Sequence, residues 1–113
     1  MHEASIVLGI MSIVEEEVKR LHLNKVNKIT MCLGEFTCAE VQTLRDCFEL
    51  VAEPTLAAEA ELIIESVKAT AECNRCRKVF PVKKQEMECP YCGSKTMRLK
   101  SGRELYVKSF EAD

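Results

Sequence analysis

Four of the seven cysteines in this chain fall into two pairs, Cys73-x-x-Cys76 and Cys89-Pro90-Tyr91-Cys92, with twelve residues between them. No other feature of the sequence constrains the fold as tightly. A C-x-x-C turn lets two thiolates point at one centre, and backbone amides of the turn can donate to the sulfurs. Two such turns facing each other offer four soft donors at tetrahedral corners, the arrangement zinc prefers. Gly93, directly after the second pair, supplies the backbone freedom that such a turn often needs. The connection is short enough to be a hairpin. The segment therefore reads as a zinc-ribbon-like module with Cys73, Cys76, Cys89 and Cys92 as ligands. Four thiolates leave no open position, so this zinc is expected to be structural, organising a segment too small to fold on its own core.

Other chemistries compete for the same cysteines. A secreted disulfide framework is disfavoured by the odd count and by the N-terminus, MHEASIVLGIM, which has no basic n-region and runs into acidic residues. A thioredoxin-like redox pair follows a strand and opens a helix, whereas Arg77, Lys78 and Val79 suit a strand better. Rubredoxin-type iron would take the same four ligands. Cys32, Cys38 and Cys47 have no metal spacing and read as small buried hydrophobes.

A chain of 113 residues is about one domain. Hydrophobic residues make up 47% of it and charged residues 30%, a soluble globular balance. No apolar run approaches the roughly 20 residues of a membrane helix, and with no secretory signal the expected location is cytoplasmic. The net charge of -2 hides an asymmetry. Residues 69–101 hold eight Lys and Arg against three Glu, a balance of +5, and the remainder balances at -7. Two modules are expected: residues 1–68 together with 102–113, and residues 69–101.

Residues 4–21 read as an amphipathic helix whose apolar stripe is Val7, Ile10, Met11, Val14, Val18 and Leu21, with Asn24 as a stop. Residues 26–33 alternate, with Ile29, Met31 and Leu33 on one side, and read as a strand. Thr37 and Glu40 have capping-box spacing and open a second helix, striped by Val41, Leu44, Phe48 and Val51 and ended by Pro54. Residues 61–68 and 103–110 read as two further strands. The expected fold class is α+β: two helices on a small three-stranded antiparallel sheet, with the cysteine module inserted between the second and third strands.

Met1-His2-Glu3 admits two readings. One is a lone histidine at a frayed end. In the other, the Met1 amine, nearby backbone amides and the His2 imidazole converge on one ion. Nitrogen donors that can lie in a plane suit Ni(II) or Cu(II). His22 reads as a helix C-terminal residue and not as a ligand.

The opening MHE, the stretch LGEFTCAEVQTLRDCFELV, the CPYCGS pair and the terminal GRELYVKSFE together resemble the HypA/HybF family over nearly the whole chain. These are nickel metallochaperones of [NiFe]-hydrogenase maturation. The resemblance implies nickel at the terminus, with His2 as the main side-chain ligand beside Met1 and Glu3. It also implies zinc on Cys73, Cys76, Cys89 and Cys92. As partners it implies a HypB-type nickel GTPase, the hydrogenase large subunit and, in some organisms, urease maturation proteins. One departure stands out: some members recruit a histidine from the zinc module to nickel, and this sequence has no histidine after His22.

The expected role is a non-enzymatic nickel carrier, since no Ser/His/Asp set, Gly-rich phosphate loop or motif-fixed carboxylate pair is present. Two rivals stand beside it: a redox switch and a zinc-ribbon nucleic-acid-binding protein. The second draws on Arg75, Arg77, Lys78, Lys83, Lys84, Arg98 and Lys100 near Phe80 and Tyr91. Four thiolates and one zinc cut the local +5 to about +3. The acidic remainder would repel phosphate, so neither nucleic acid nor membrane is expected as a partner.

Overall fold

The computed structural model of the protein describes residues 3–113. In chain order the elements are α1 (Glu3–Arg20), β1 (Val26–Gly34), a 3-10 turn (Glu35–Thr37), α2 (Val41–Ala52), β2 (Glu61–Val67), β3 (Thr70–Cys73), β4 (Val79–Pro81), β5 (Met97–Ser101) and β6 (Leu105–Ala112). They form an α+β fold with two three-stranded sheets, ordered β2-β1-β6 and β4-β3-β5. Among the described residues no helix is long and apolar enough to cross a membrane. Two compact units result. The first takes the chain up to Cys32, then Cys38–Glu65 and Tyr106–Asp113; the second takes Leu33–Thr37 and Ser66–Leu105.

In the first unit α1 buries Ile6, Val7, Ile10, Met11, Val14 and Val18, and it packs on α2, which buries Leu44, Phe48 and Ala52. Leu21 and Val41, expected in the two stripes, are exposed, because one lies past the last turn of α1 and the other opens α2. The end of α1 is a Schellman motif. Leu23 N–H donates to Val18 C=O, His22 N–H donates to Lys19 C=O, and His22 is left-handed, with φ 55°. The stop is thus His22, two residues before Asn24.

Lys25 and Asp113 exchange both backbone hydrogen bonds, the signature of antiparallel pairing between the flanks of β1 and β6. The expected alternation in β1 fails after Lys28, since every residue from Ile29 to Gly34 is buried. A central strand covered on both faces loses the period of two.

The start of α2 also differs from expectation. Glu40, not Thr37, is the N-cap: its carboxylate accepts from the N–H groups of Gln42 and Thr43. The Thr37 hydroxyl instead donates to Gly34 C=O inside the 3-10 turn. At the other end Glu53 keeps a helical backbone, so Pro54 stops α2 by its missing N–H and not by displacing its neighbour.

The second unit is built on β3, flanked by β4 and β5 in antiparallel register, with Ala71 opposite Phe80 and Leu99, and Glu72 opposite Val79 and Arg98. Ala71 and Cys73 point into a small core of Ala69, Phe80, Val82 and Cys89, and Phe36, Met87, Met97 and Leu99 pack around it. Thr70 and Glu72 therefore lie on the opposite face. The link between the cysteine pairs folds back on itself through an antiparallel bridge between Lys83 and Glu86.

Candidate metal centre

Cys73 ends β3, and the turn after it brings Cys76 back under the same core. Cys73 N–H donates to Lys78 C=O, and Arg77 N–H donates to Cys73 C=O, both at 3.0 Å. The second pair repeats this: Cys89 N–H donates to Ser94 C=O and Gly93 N–H to Cys89 C=O, both at 2.9 Å. Each loop then aims amides at its first sulfur. Arg75 and Cys76 N–H lie 3.4 Å from Cys73 Sγ, and Tyr91 N–H lies 3.4 Å from Cys89 Sγ. The residue after each pair is left-handed, Arg77 at φ 67° and Gly93 at φ 77°. Glycine takes that conformation freely, whereas Arg77 takes it against the preference of a side chain. The strain at Arg77 left no mark in the sequence.

The two loops are tied by Asn74 N–H donating to Thr96 C=O. The Lys78 ammonium, 4.5 Å from the centre of the Tyr91 ring, adds a cation–π contact. Cys73 Sγ lies 3.5 Å from Cys92 Sγ, Cys76 Sγ lies 3.6 Å from Cys89 Sγ, and all four sulfurs fall within 4.8 Å of one another. A tetrahedral ion with sulfur bonds of about 2.3 Å spaces its ligands about 3.8 Å apart. The donor set fits such an ion. Among the described residues, no other group of three or more His, Cys, Asp or Glu donors comes this close together.

The electrostatics point the same way. The Cys76 N–H, with the Arg75 N–H and the neighbouring thiols, pulls Cys73 down to about 6 against the opposing effect of burial. Cys92 receives the Ser94 N–H, which pulls it down. Burial and the Cys73, Cys89 and Cys76 thiols outweigh that and push it up to about 11. The backbone thus prepares one thiolate, and the crowding of sulfurs resists the last. A cation among them lets all four ionise together.

Residues 1–112 match the family model for HypA, "Hydrogenase/urease nickel incorporation, metallochaperone". The chain belongs to the HypA family. It is 33% identical to hydrogenase maturation factor HypA of Caldanaerobacter subterraneus subsp. tengcongensis, over the full length of both chains. It is 36% identical to the HypA of Chlorobaculum tepidum over 97% of each. The solution structure of the Ni metallochaperone HypA from Helicobacter pylori superposes with a TM-score of 0.72 at 29% identity, covering 99% of this chain and 97% of that one.

At the amino end of this HypA chain, Met1 and His2, two of the three residues expected to hold nickel, lie outside the described residues. The third, Glu3, opens α1, and its carboxylate accepts from the Glu40 N–H at 3.3 Å. That bond ties the first residue of α1 to the cap of α2. Nothing in the sequence beyond the acidic residue itself pointed to it. Of the remaining cysteines, Cys32 is buried as expected, Cys47 is half-buried and Cys38 is exposed. Cys38 departs from the expectation because it sits in the left-handed connection before α2, with φ 62°, outside any strand or helix.

Proposed function

We propose that this chain is a nickel metallochaperone that binds Ni(II) at its Met1-His2-Glu3 end and delivers it for [NiFe]-hydrogenase maturation. A structural zinc is held by Cys73, Cys76, Cys89 and Cys92. The observation that carries the reading is the match of residues 1–112 to a family described by nickel incorporation. The four-cysteine geometry supports zinc: a closed tetrathiolate set, with amides turned toward the sulfurs, suits a resident ion with no catalytic position left open. On this reading the protein is not an enzyme, and it works in the cytoplasm. Its partners are a HypB-type nickel GTPase, the hydrogenase large subunit and, where urease is also served, urease maturation proteins, with no nucleic acid and no membrane among them.

At the terminus His2 supplies the imidazole, and the Met1 amine and adjacent backbone amides supply nitrogen donors in sequence. Consecutive donors avoid most of the loop-closure entropy of a site assembled from distant residues. Glu3 contributes its backbone to that run, and its side chain, held by the Glu40 N–H, steadies the start of α1. Nickel titration of tag-free protein, read by absorbance and calorimetry, tests this. Binding that survives both His2→Ala and an extension before Met1 would end the proposal. Elemental analysis tests the other half, with about one zinc per chain expected and iron as the refuting result.

A further inference from the structure

The outer face of the β4-β3-β5 sheet carries an arrangement that the metal centre does not use. Phe80, Ala71 and Cys73 point to the core. Glu72 therefore stands on the outer face with Val79 and Arg98 directly opposite it on the neighbouring strands. The register slips between Thr70 and Ala71, since Ser101 faces the first and Leu99 the second, which leaves Lys100 as the extra residue of a bulge. Lys100 turns to the same face, with Nζ 3.8 Å from Glu72. Arg98 and Arg77 complete a ring around that carboxylate at 3.4 and 3.6 Å.

This ring is unbalanced. One carboxylate, 18% exposed, meets three cations whose side chains are 75%, 64% and 42% exposed. Two guanidinium groups and an ammonium carry many more donors than one carboxylate can accept. The three side chains are exposed enough to offer the donors that Glu72 does not take to a second acceptor from solvent. Val79 lies exposed in the same row, and Pro81, also exposed, follows it on β4.

We propose that this face docks an acidic segment of another protein, whose carboxylates extend the contact that Glu72 makes within the chain. Charge complementarity selects the occupant. The cations converge on a carboxylate-sized centre beside apolar contacts, whereas a polyphosphate backbone is tracked by a basic stripe. Residues outside 69–101 balance at -7, which opposes a long polyanion more than a short acidic segment. The proposal stands whether or not the amino terminus holds nickel.

The test uses the full chain with its metal bound and follows the fluorescence anisotropy of a labelled peptide of repeated Glu-Glu-Leu. Its Gln-Gln-Leu counterpart and a single-stranded DNA of similar length serve as comparisons. The acidic peptide should bind, the neutral one should not, and raising salt from about 50 to about 300 mM should weaken the complex. Arg98→Glu with Lys100→Glu should reduce affinity on the order of tenfold, since exposed pairs are individually modest and reversal turns attraction into repulsion. Glu72→Gln removes the internal competitor and should strengthen binding several-fold, an outcome that a purely structural ion-pair cluster does not predict. Metal content and circular dichroism report folding of each variant. If the double reversal misfolds, Glu72→Gln decides alone. Equal binding of the neutral peptide, weaker binding by Glu72→Gln, or tighter binding of the DNA than of the acidic peptide would overturn the proposal.

Discussion

Phe80→Ala offers a direct measure of how far the second unit depends on its metal. Phe80 is 2% exposed and is the largest side chain in a buried set that otherwise consists of Ala69, Ala71, Val82 and the two cysteines Cys73 and Cys89. Truncating a buried phenylalanine to alanine costs about 3–5 kcal/mol. An ordinary domain has only about 5–15 kcal/mol in total, and a unit with one aromatic in its core sits at the low end of that scale. A structural zinc contributes roughly 10–16 kcal/mol of apparent binding energy at neutral pH. The metal-loaded variant should therefore still fold, and the loss should appear as weaker zinc affinity. At about 1.4 kcal/mol per decade, the affinity should fall by roughly two to four orders of magnitude. Competition against a chromophoric chelator of known zinc affinity reads this directly, while far-ultraviolet circular dichroism reports α1 and α2. Unchanged zinc affinity in Phe80→Ala would refute the claim that this core and the cysteine site form one folding unit.

The remaining expectations concern the other elements. Cys73→Ala should release zinc and unfold the cysteine module while leaving most helical signal intact, checked by metal analysis alongside circular dichroism. His2→Ala should abolish tight nickel binding with zinc content unchanged, and residues added before Met1 should do the same; calorimetry on both proteins checks this. The Thr43 hydroxyl, with the Thr43 and Gln42 N–H groups, holds the Glu40 carboxyl below its ordinary value of 4.5. Its contribution is then complete above that pH and fades as pH falls through the lowered folded value. Thermal melts of the parent and Glu40→Gln from about pH 3 to 7 should converge at the acid end. Gly102 has φ +116°, and a Cβ there would meet the Ala69 Cβ at 2.7 Å. Gly102→Ala should accordingly lower the melting temperature of the second unit or weaken its zinc affinity, measured by the same chelator competition.

Local signals carried most of the fold. The helices could be read because their apolar residues recur at helical spacing against charged faces, and the cysteine site because two C-x-x-C turns are self-contained geometry. What could not be read depends on distant contacts. The burial of Thr30 is one case: β1 lies in the middle of its sheet, and a single strand does not record its neighbours. Thr37 and Glu40 matched the capping box in spacing, yet the chain uses Thr37 in a 3-10 turn and caps α2 with the carboxylate alone. Of the three short strands of the second unit, only β4 was hinted at, by the residues after Cys76; β3 and β5 escaped because runs of four or five residues carry too little period to see.

The placement of the donors separates the two proposed metal roles. The four cysteines come from two loops, each held by its own backbone hydrogen bonds and crossed by the Asn74–Thr96 bond and the Lys78–Tyr91 contact. On the proposed reading an ion there would be part of that frame, and its role would be to hold the fold. Donors at Met1, His2 and the following amides need no such frame. On the proposed reading an ion there would be held by atoms consecutive in the chain, where a helix dipole would oppose a cation and deprotonated amides would offset it. Protons compete for those same nitrogens, so nickel should leave as pH falls through the histidine range. A carrier needs a site of this second kind to hand over its cargo, and one of the first kind keeps its fold intact while it does so.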